Sequence, residues 1–266
     1  MLRFASLSSG SGGNATLVEA WRDPHERPTR LLVDCGLGPR RLGAALQQRG
    51  CGIADLDAVF LTHEHSDHVA GVRALQRRFG TTVWASAGTW SAVARPTLDD
   101  SDRWPARIAR HGEAIAVGAL QVYPFAVPHD AAEPLQLVCS FGHWRLGIVT
   151  DIGEPVDAVA AALAGCDALL LECNHDAQML ADGAYPAWLK RRIGGLRGHL
   201  SNAQSTALLA ACRHAGLRHV VAAHLSLHNN TPALALAALA QGLRAGDAAS
   251  LQAADARAGC GWITLV

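Results

Sequence analysis

The sequence predicts an α/β (α+β) fold in which mixed sheets are flanked by helices. Two observations predict it. Apolar stretches of strand length come in hairpin-rich blocks separated by helical patterns, which is not the strict alternation of a doubly wound parallel sheet. No linker, internal repeat or low-complexity tract interrupts the 266 residues, so 1–266 reads as one domain with enough chain to bury a large core.

Residues 2–8 read as a short strand that Ser9-Gly10-Ser11-Gly12-Gly13-Asn14 breaks, and a second strand covers Ala15 to Ala20. Arg22 to Pro28 is a polar turn, because its two prolines, Pro24 and Pro28, oppose regular pairing. Leu31-Leu32-Val33 is a buried strand that ends in Asp34-Cys35-Gly36. A helix over 39–49 stops at Gly50, and the apolar run Ala58 to Leu61 is the next strand. A helix over 67–79 closes at Gly80, Thr82 to Ala85 is strand-like, and a further helix is expected over 88–95.

Strands within 106–127 lead to Val127-Pro128-His129-Asp130. Residues 135–141 and 144–150 form a hairpin through Gly142-His143, ending at Thr150-Asp151. Pro155 fits the first position of a helix over 155–164. Asp167 to Glu172 is a buried strand, followed by Cys173-Asn174-His175-Asp176. From Tyr185 to His199 the chain is loop-rich and basic. Ser201 and Gln204 have the form of a capping box, which starts a helix running to about 215. Leu217 to Ala223 is a strand ending in His224, Thr231-Pro232 caps a helix over 232–244, and 249–265 make the last strands.

Composition excludes several classes. Half the residues are apolar and Lys+Arg equals Asp+Glu at 23 each, so the chain is neither disordered nor globally basic. A nucleic-acid partner would need a local basic patch. Seven scattered cysteines with no Cys-x-x-Cys pair argue for reduced thiols in a cytoplasm, and against a disulfide scaffold or a thiolate metal site. The N-terminus lacks a long apolar segment and no later run reaches membrane-spanning length. A cytoplasmic protein with no membrane association is expected.

The densest chemistry is Thr62-His63-Glu64-His65-Ser66-Asp67-His68, where four metal-capable side chains besides Glu64 meet at a strand-to-helix junction. The same event recurs along the chain: an apolar strand ends and a metal-capable residue follows. It happens at Asp34, at His63 and His65, at His129, at Asp151 and at His224. Strand ends of packed sheets share a rim, so these residues can gather although they are far apart in sequence. Imidazoles and carboxylates without thiolates suit Zn²⁺, with Mn²⁺ or Fe as alternatives. Five histidines with Asp67 and Asp151 exceed what one tetrahedral ion needs, which points to two divalent ions.

On these residues the sequence resembles the metallo-β-lactamase superfamily, whose His-x-His-x-Asp-His signature is matched by residues 63–68. Asp34, His129, Asp151 and His224 follow its other motifs in order, over nearly the whole chain. Within the superfamily it is similar to the YycJ-like (WalJ) branch of predicted nucleases. That likeness rests on Ser9 to Asn14, Glu172 to Asp176, Gly198-His199-Leu200-Ser201-Asn202, and His224-Leu225-Ser226 with Asn229-Asn230. The last two stretches also resemble tRNase Z, where a His shortly before a helix assists catalysis. The chain lacks the long arm by which tRNase Z holds transfer RNA, which argues against tRNA processing.

The resemblance implies an αββα sandwich with a dinuclear site along one edge. His63, His65 and His129 would take one metal, Asp67, His68 and His224 the other, and Asp151 would bridge them. Asp34 would orient a ligand imidazole. The implied activity is phosphodiester hydrolysis of DNA or RNA, with His199 beside a capped helix N-terminus as the residue that meets the leaving oxygen or the anion.

Lys190, Arg191, Arg192 and Arg197 could supply positive charge for a polynucleotide, or be a solvated face. The loop carrying Ser11 and Asn14 could be an anion nest or a tight turn. His175, Ser201 and Asn202 are further candidate substrate contacts; His175 could equally be structural. Two other functions stay open: a hydrolase of a small ester, thioester, lactam or cyclic phosphate, and a non-catalytic nucleic-acid binder. The sequence predicts no obligate protein partner and leaves the oligomeric state open.

Overall fold

The structure is a computed structural model that describes residues 1–23, 25–94 and 106–266. Pro24, one of the two prolines of the polar turn, and Arg95, the last residue of the helix expected over 88–95, lie outside the described residues.

The first half of the chain supplies strands β1 (Leu2–Ser8), β2 (Ala15–Ala20), β3 (Thr29–Val33), β4 (Ala58–Phe60), β5 (Thr82–Ala85) and β6 (Arg107–Ile108). Residues 115–253 supply β7 (Ile115–Val117), β8 (Leu120–Ala126), β9 (Leu135–Phe141), β10 (Trp144–Val149), β11 (Ala168–Glu172), β12 (His219–Ala223) and β13 (Ser250–Ala253). A closing strand, β14 (Ile263–Leu265), returns to the first half. Two sheets result, in the orders β14-β1-β2-β3-β4-β5-β6 and β13-β12-β11-β10-β9-β8-β7. Each is antiparallel on one side and parallel on the other, the mixed pairing expected from the hairpin-rich blocks.

Alternation along the strands builds three apolar layers. One face of each sheet meets the other in a core that holds Phe4, Leu31 and Phe60 against Leu137, Ile148 and Leu170. The opposite face of the first sheet, with Leu17, Leu32 and Val59, packs on helices α1 (Pro39–Gln47), α2 (Ser66–Val69) and α3 (Val72–Phe79) together with α4 (Ala87–Val93). The opposite face of the second, with Leu169, Leu171 and Val220, packs on α5 (Asp157–Leu163). Further along the chain come α6 (Ala177–Asp182), α7 (Ala187–Ile193), α8 (Asn202–Cys212) and α9 (Pro232–Gly242); Leu208 of α8 and Leu239 of α9 complete this outer layer. This is the αββα sandwich.

Three local expectations are corrected. The helix expected over 67–79 is two helices, because Gly71 donates its N–H to the Cys35 carbonyl and a Cβ there would overlap the Leu37 carbonyl oxygen. Pro155 is not the first residue of α5: Val156 stays extended as N-cap, and the helix begins at Asp157. The stretch 185–199 is not loop throughout, since Pro186 caps a helix whose last turn is Lys190, Arg191 and Arg192. The caps at Ser201 and Thr231 hold as expected, each side chain accepting a backbone N–H, from Gln204 and from Leu234.

Strand direction decides where the site can be. Strands β1, β3 and β4 run the same way, as do β8, β10, β11 and β12. The C-terminal ends of all seven therefore carry the chain to one edge of the sandwich.

Candidate metal centre

Asp34, Asp151 and His224 each leave a strand in the left-handed region, with φ of 61°, 57° and 55°; among the described residues they are the non-glycine positions with positive φ. Each such conformation costs on the order of 1–3 kcal/mol and persists where surroundings over-determine it. Here they do. Asp34 donates its N–H to Phe60 O and its carboxylate accepts Thr62 N–H (2.9 Å) and Oγ1 (2.9 Å). His224 donates its N–H to Ser9 Oγ at 2.8 Å. The turn at the end of the strand swings each side chain across the sheet edge instead of onward along the strand.

His63, His65 and His129 form the first group, their ligand-capable atoms within 4.8 Å of one another. His129 directs Nδ1 to the Gly198 carbonyl at 3.0 Å, which leaves Nε2 facing His65 Nδ1 at 3.4 Å. His63 lies with Nδ1 on Thr62 Oγ1 at 3.0 Å, leaving Nε2 for the group. Asp67, His68 and His224 form the second group under the same criterion. His68 gives Nδ1 to Asp34 Oδ2 at 2.8 Å, so its Nε2 faces Asp151 Oδ2 at 3.1 Å and Asp67 Oδ2 at 3.5 Å. Asp151 joins the groups, clustering with His63 and His68: Oδ2 faces His68, while Oδ1 lies 3.5 Å from Nδ1 of both His199 and His224.

Burial disfavours a charged imidazole, and it takes His63 well below the usual range and His129 below it. Neutral imidazoles are the form that binds a cation. Burial also opposes protons on His68 and His224, but there the carboxylates prevail. Asp151 and Asp34 hold His68 well above its ordinary value; Asp151, with hydrogen bonds to Asp67 and Glu172, lifts His224 to about 10. Burial works against ionised Asp151 as well, yet His224 and His68 keep it well below the carboxylate range.

Do these residues fit a cation? Three buried atoms without a hydrogen-bond partner, His63 Nε2, Asp151 Oδ2 and His224 Nε2, belong to the two groups. Orphaned acceptors are rare in buried positions and call for an ion or water. The donors are nitrogens and carboxylate oxygens, and every cysteine is free and buried. The donor set fits divalent cations.

Glu172 is not among the candidate site residues read from the sequence, although it ends an apolar strand like the others and opens one of the stretches that carry the resemblance. Fully buried at the end of β11, it places Oε1 2.8 Å from His199 Nδ1 and 3.2 Å from His224 Nδ1, and Oε2 accepts the N–H groups of Ile152 and Leu200. Burial would raise its pKa, but His199 beside it holds it at about 2, and His199 is raised in turn, Glu172 outweighing the burial of the ring. Asp130, also unassigned, lies 3.8 Å from His65 Nε2 and 3.4 Å from His129 Nε2.

The candidate substrate contacts are scattered. Asn14 is buried in the wall of the second group, its Nδ2 2.9 Å from His68 Nε2 and 3.2 Å from Asp67 Oδ2. The Ser201 side chain serves its cap, and Asn202 is paired with Asn230 at 3.0 Å. His175 is buried with Nδ1 unpartnered. Lys190 Nζ donates to Ala181 O, and Arg192 Nε is held by Asp130 Oδ2 at 2.6 Å. Arg197 is exposed, and Ser11 lies exposed in a surface groove beside His224. No helix among the described residues is long and apolar enough to cross a membrane.

A profile of the family described as "Beta-lactamase superfamily domain" matches residues 29–225. The chain is 34% identical over 240 residues to Exodeoxyribonuclease YycJ of Bacillus anthracis, covering 90% of this chain and 88% of that protein. It is 32% identical over 234 residues to Exodeoxyribonuclease WalJ of Streptococcus pneumoniae, covering 88% and 85%. Among solved structures, the metallo-β-lactamase fold protein YhfI of Bacillus subtilis aligns over 98% of each chain with a TM-score of 0.74 at 15% identity, a likeness of fold.

Proposed function

The chain belongs to the β-lactamase superfamily, and from that premise we propose that it is a metal-dependent phosphodiester hydrolase, a nuclease that trims DNA. The observation that carries this is Asp151, which lies against His68 and His224 of one group, shares a ligand-capable cluster with His63 of the other, and has His199 against the same carboxylate. His63, His65 and His129 would hold one divalent ion and Asp67, His68 and His224 another, with Asp151 between them. Zinc is the ion that best suits imidazole and carboxylate donors, with Mn²⁺ or Fe as alternatives. Bound there, such ions supply a water acidic enough to ionise near neutral pH and neutralise charge that develops on phosphoryl oxygens.

The protein's own part is positioning and proton transfer. Asp34 fixes the His68 ring and Thr62, and the Gly198 carbonyl fixes His129. Glu172 holds Nδ1 of His199, so Nε2 is the atom left to meet a substrate, and the carboxylate favours the protonated ring. A proton donor poised in this way serves the departing 3′ or 5′ oxygen, which needs protonation as the P–O bond breaks. His199 is partly exposed, and the groove along Leu225 to His228 carries two arginines and no carboxylate, which favours a polyanion over a small ester, thioester or lactam. Seven free, buried cysteines suit a reducing cytoplasm.

The test is digestion of end-labelled single- and double-stranded DNA and RNA with Zn²⁺, Mn²⁺ and Mg²⁺ in turn. Metal-dependent release of mononucleotides from a DNA end is expected. Inactivity on every polynucleotide, with turnover of a small ester or thioester, would overturn the proposal.

A further inference from the structure

A groove of about 630 Å³ opens along Leu225 to His228, the segment that follows His224, with Ser11, Arg41, Tyr185 and Arg257 around it. We propose that it seats the single DNA strand adjoining the scissile phosphate, with Arg41 and Arg257 on successive phosphates and Tyr185 under a base. The proposal rests on the nuclease reading above.

Charge is the first support. The chain has 23 Lys+Arg against 23 Asp+Glu, yet this groove is lined by two arginines and no carboxylate. Arg41 spends one N–H on the Gly12 carbonyl at 3.2 Å, which aims the guanidinium along the groove wall. Asp255, the carboxylate next to Arg257, is engaged by the backbone N–H groups of Arg257 and Ala258 at 2.8 Å each. Both arginines are exposed and keep donors for an anion.

Shape is the second. The volume is in the range of small-ligand sites, enough for a nucleotide or two and too small for a duplex. Tyr185 and His228 meet at 5.8 Å with ring planes 68° apart, so the tyrosine is braced at its edge, as a base-stacking platform requires.

Position is the third. Leu225 and Ser226 of the groove follow His224 directly, and Ser226 N–H is held by the Asn174 carbonyl while Asn174 Nδ2 holds the His224 carbonyl. The opposite wall, Ser11 and Gly12, is tied to the same histidine through Ser9 Oγ. Both walls are thus tied by hydrogen bonds to the backbone of His224, one of the candidate ligands.

The experiment uses metal-loaded protein, a short labelled oligodeoxythymidylate and bis(p-nitrophenyl) phosphate, a diester too small to span groove and centre. Binding is read by anisotropy and turnover on both substrates. The double variant Arg41→Ala/Arg257→Ala should retain bound metal, raise the oligonucleotide KM tenfold or more relative to the diester, and flatten the log–log salt dependence of binding by roughly 1.4, about 0.7 for each phosphate left without its arginine. Tyr185→Ala should raise the oligonucleotide KM about tenfold, with Tyr185→Phe restoring it. Unchanged affinity and salt slope in the double variant would overturn the groove assignment while leaving the nuclease reading intact. Wild-type protein inert on both substrates would instead sink the nuclease reading, and anisotropy would still decide whether these arginines bind a strand.

Discussion

The Glu172 carboxylate stands 2.8 Å from Nδ1 of His199, and both lie within reach of Asp151. This pair links the strand β11 to the loop ahead of α8 and joins the proposed proton donor to the candidate ligand groups. His199→Ala should leave metal content unchanged and lower turnover of DNA on the order of 10²-fold, the usual worth of a positioned acid. Glu172→Gln should also cost turnover and shift the alkaline limb of the pH profile downward, because the charge that holds the His199 proton is gone. An unmoved rate and profile in both variants would make the pair structural.

Asp34 acts on the site only through His68 and Thr62. Asp34→Ala should weaken metal binding roughly 10- to 100-fold, measured by competition with a chelator. Asp34→Asn should lose less, since asparagine tolerates the left-handed backbone and keeps a hydrogen-bonding side chain. Equal losses in the two variants would contradict an orienting role.

Removing the carboxylate between the groups should be more severe. Asp151→Ala is expected to abolish hydrolysis of both a simple diester and a polynucleotide while the chain stays folded. Retained activity on either substrate would exclude a central role for Asp151.

His224 is lifted to about 10, so near pH 7.5 the protein stripped by a chelator carries a proton there, and Asp151 and Asp34 favour one on His68 as well. A cation must displace them. Loading should therefore release at least the His224 proton and tighten as pH rises toward 10. Calorimetry in two buffers of different ionisation enthalpy reads the number directly, and zero net release would contradict these raised pKa values.

Gly71 breaks what would otherwise be one helix. Gly71→Ala should destabilise the protein by about 1–3 kcal/mol, as overpacking does, because its Cβ has only the Leu37 carbonyl and Cys35 to displace. Denaturant unfolding checks this, and an unchanged midpoint would mean the break has another cause.

Much of the centre is legible in the sequence. His63, His65, His129, Asp151 and His224 announce themselves because a buried strand is an apolar run, and the residue after it arrives at the sheet edge. Glu172 escapes notice because it closes its strand as the last paired residue, where a carboxylate passes for an edge residue rather than a site. Gly71 escapes because the helical periodicity continues across it.

What the sequence by itself determined is the set of side chains delivered to one edge, since strand ends and turn signals are local properties of the chain. Only the tertiary structure decided how they act. Left-handed turns mark Asp34, Asp151 and His224 at the candidate ligand groups, Glu172 pairs with His199 beside them, and Arg41, Tyr185, His228 and Arg257 meet in one groove. Those relations join residues up to more than two hundred positions apart, such as Ser9 with His224, and they depend on how two sheets pack, which no local pattern encodes.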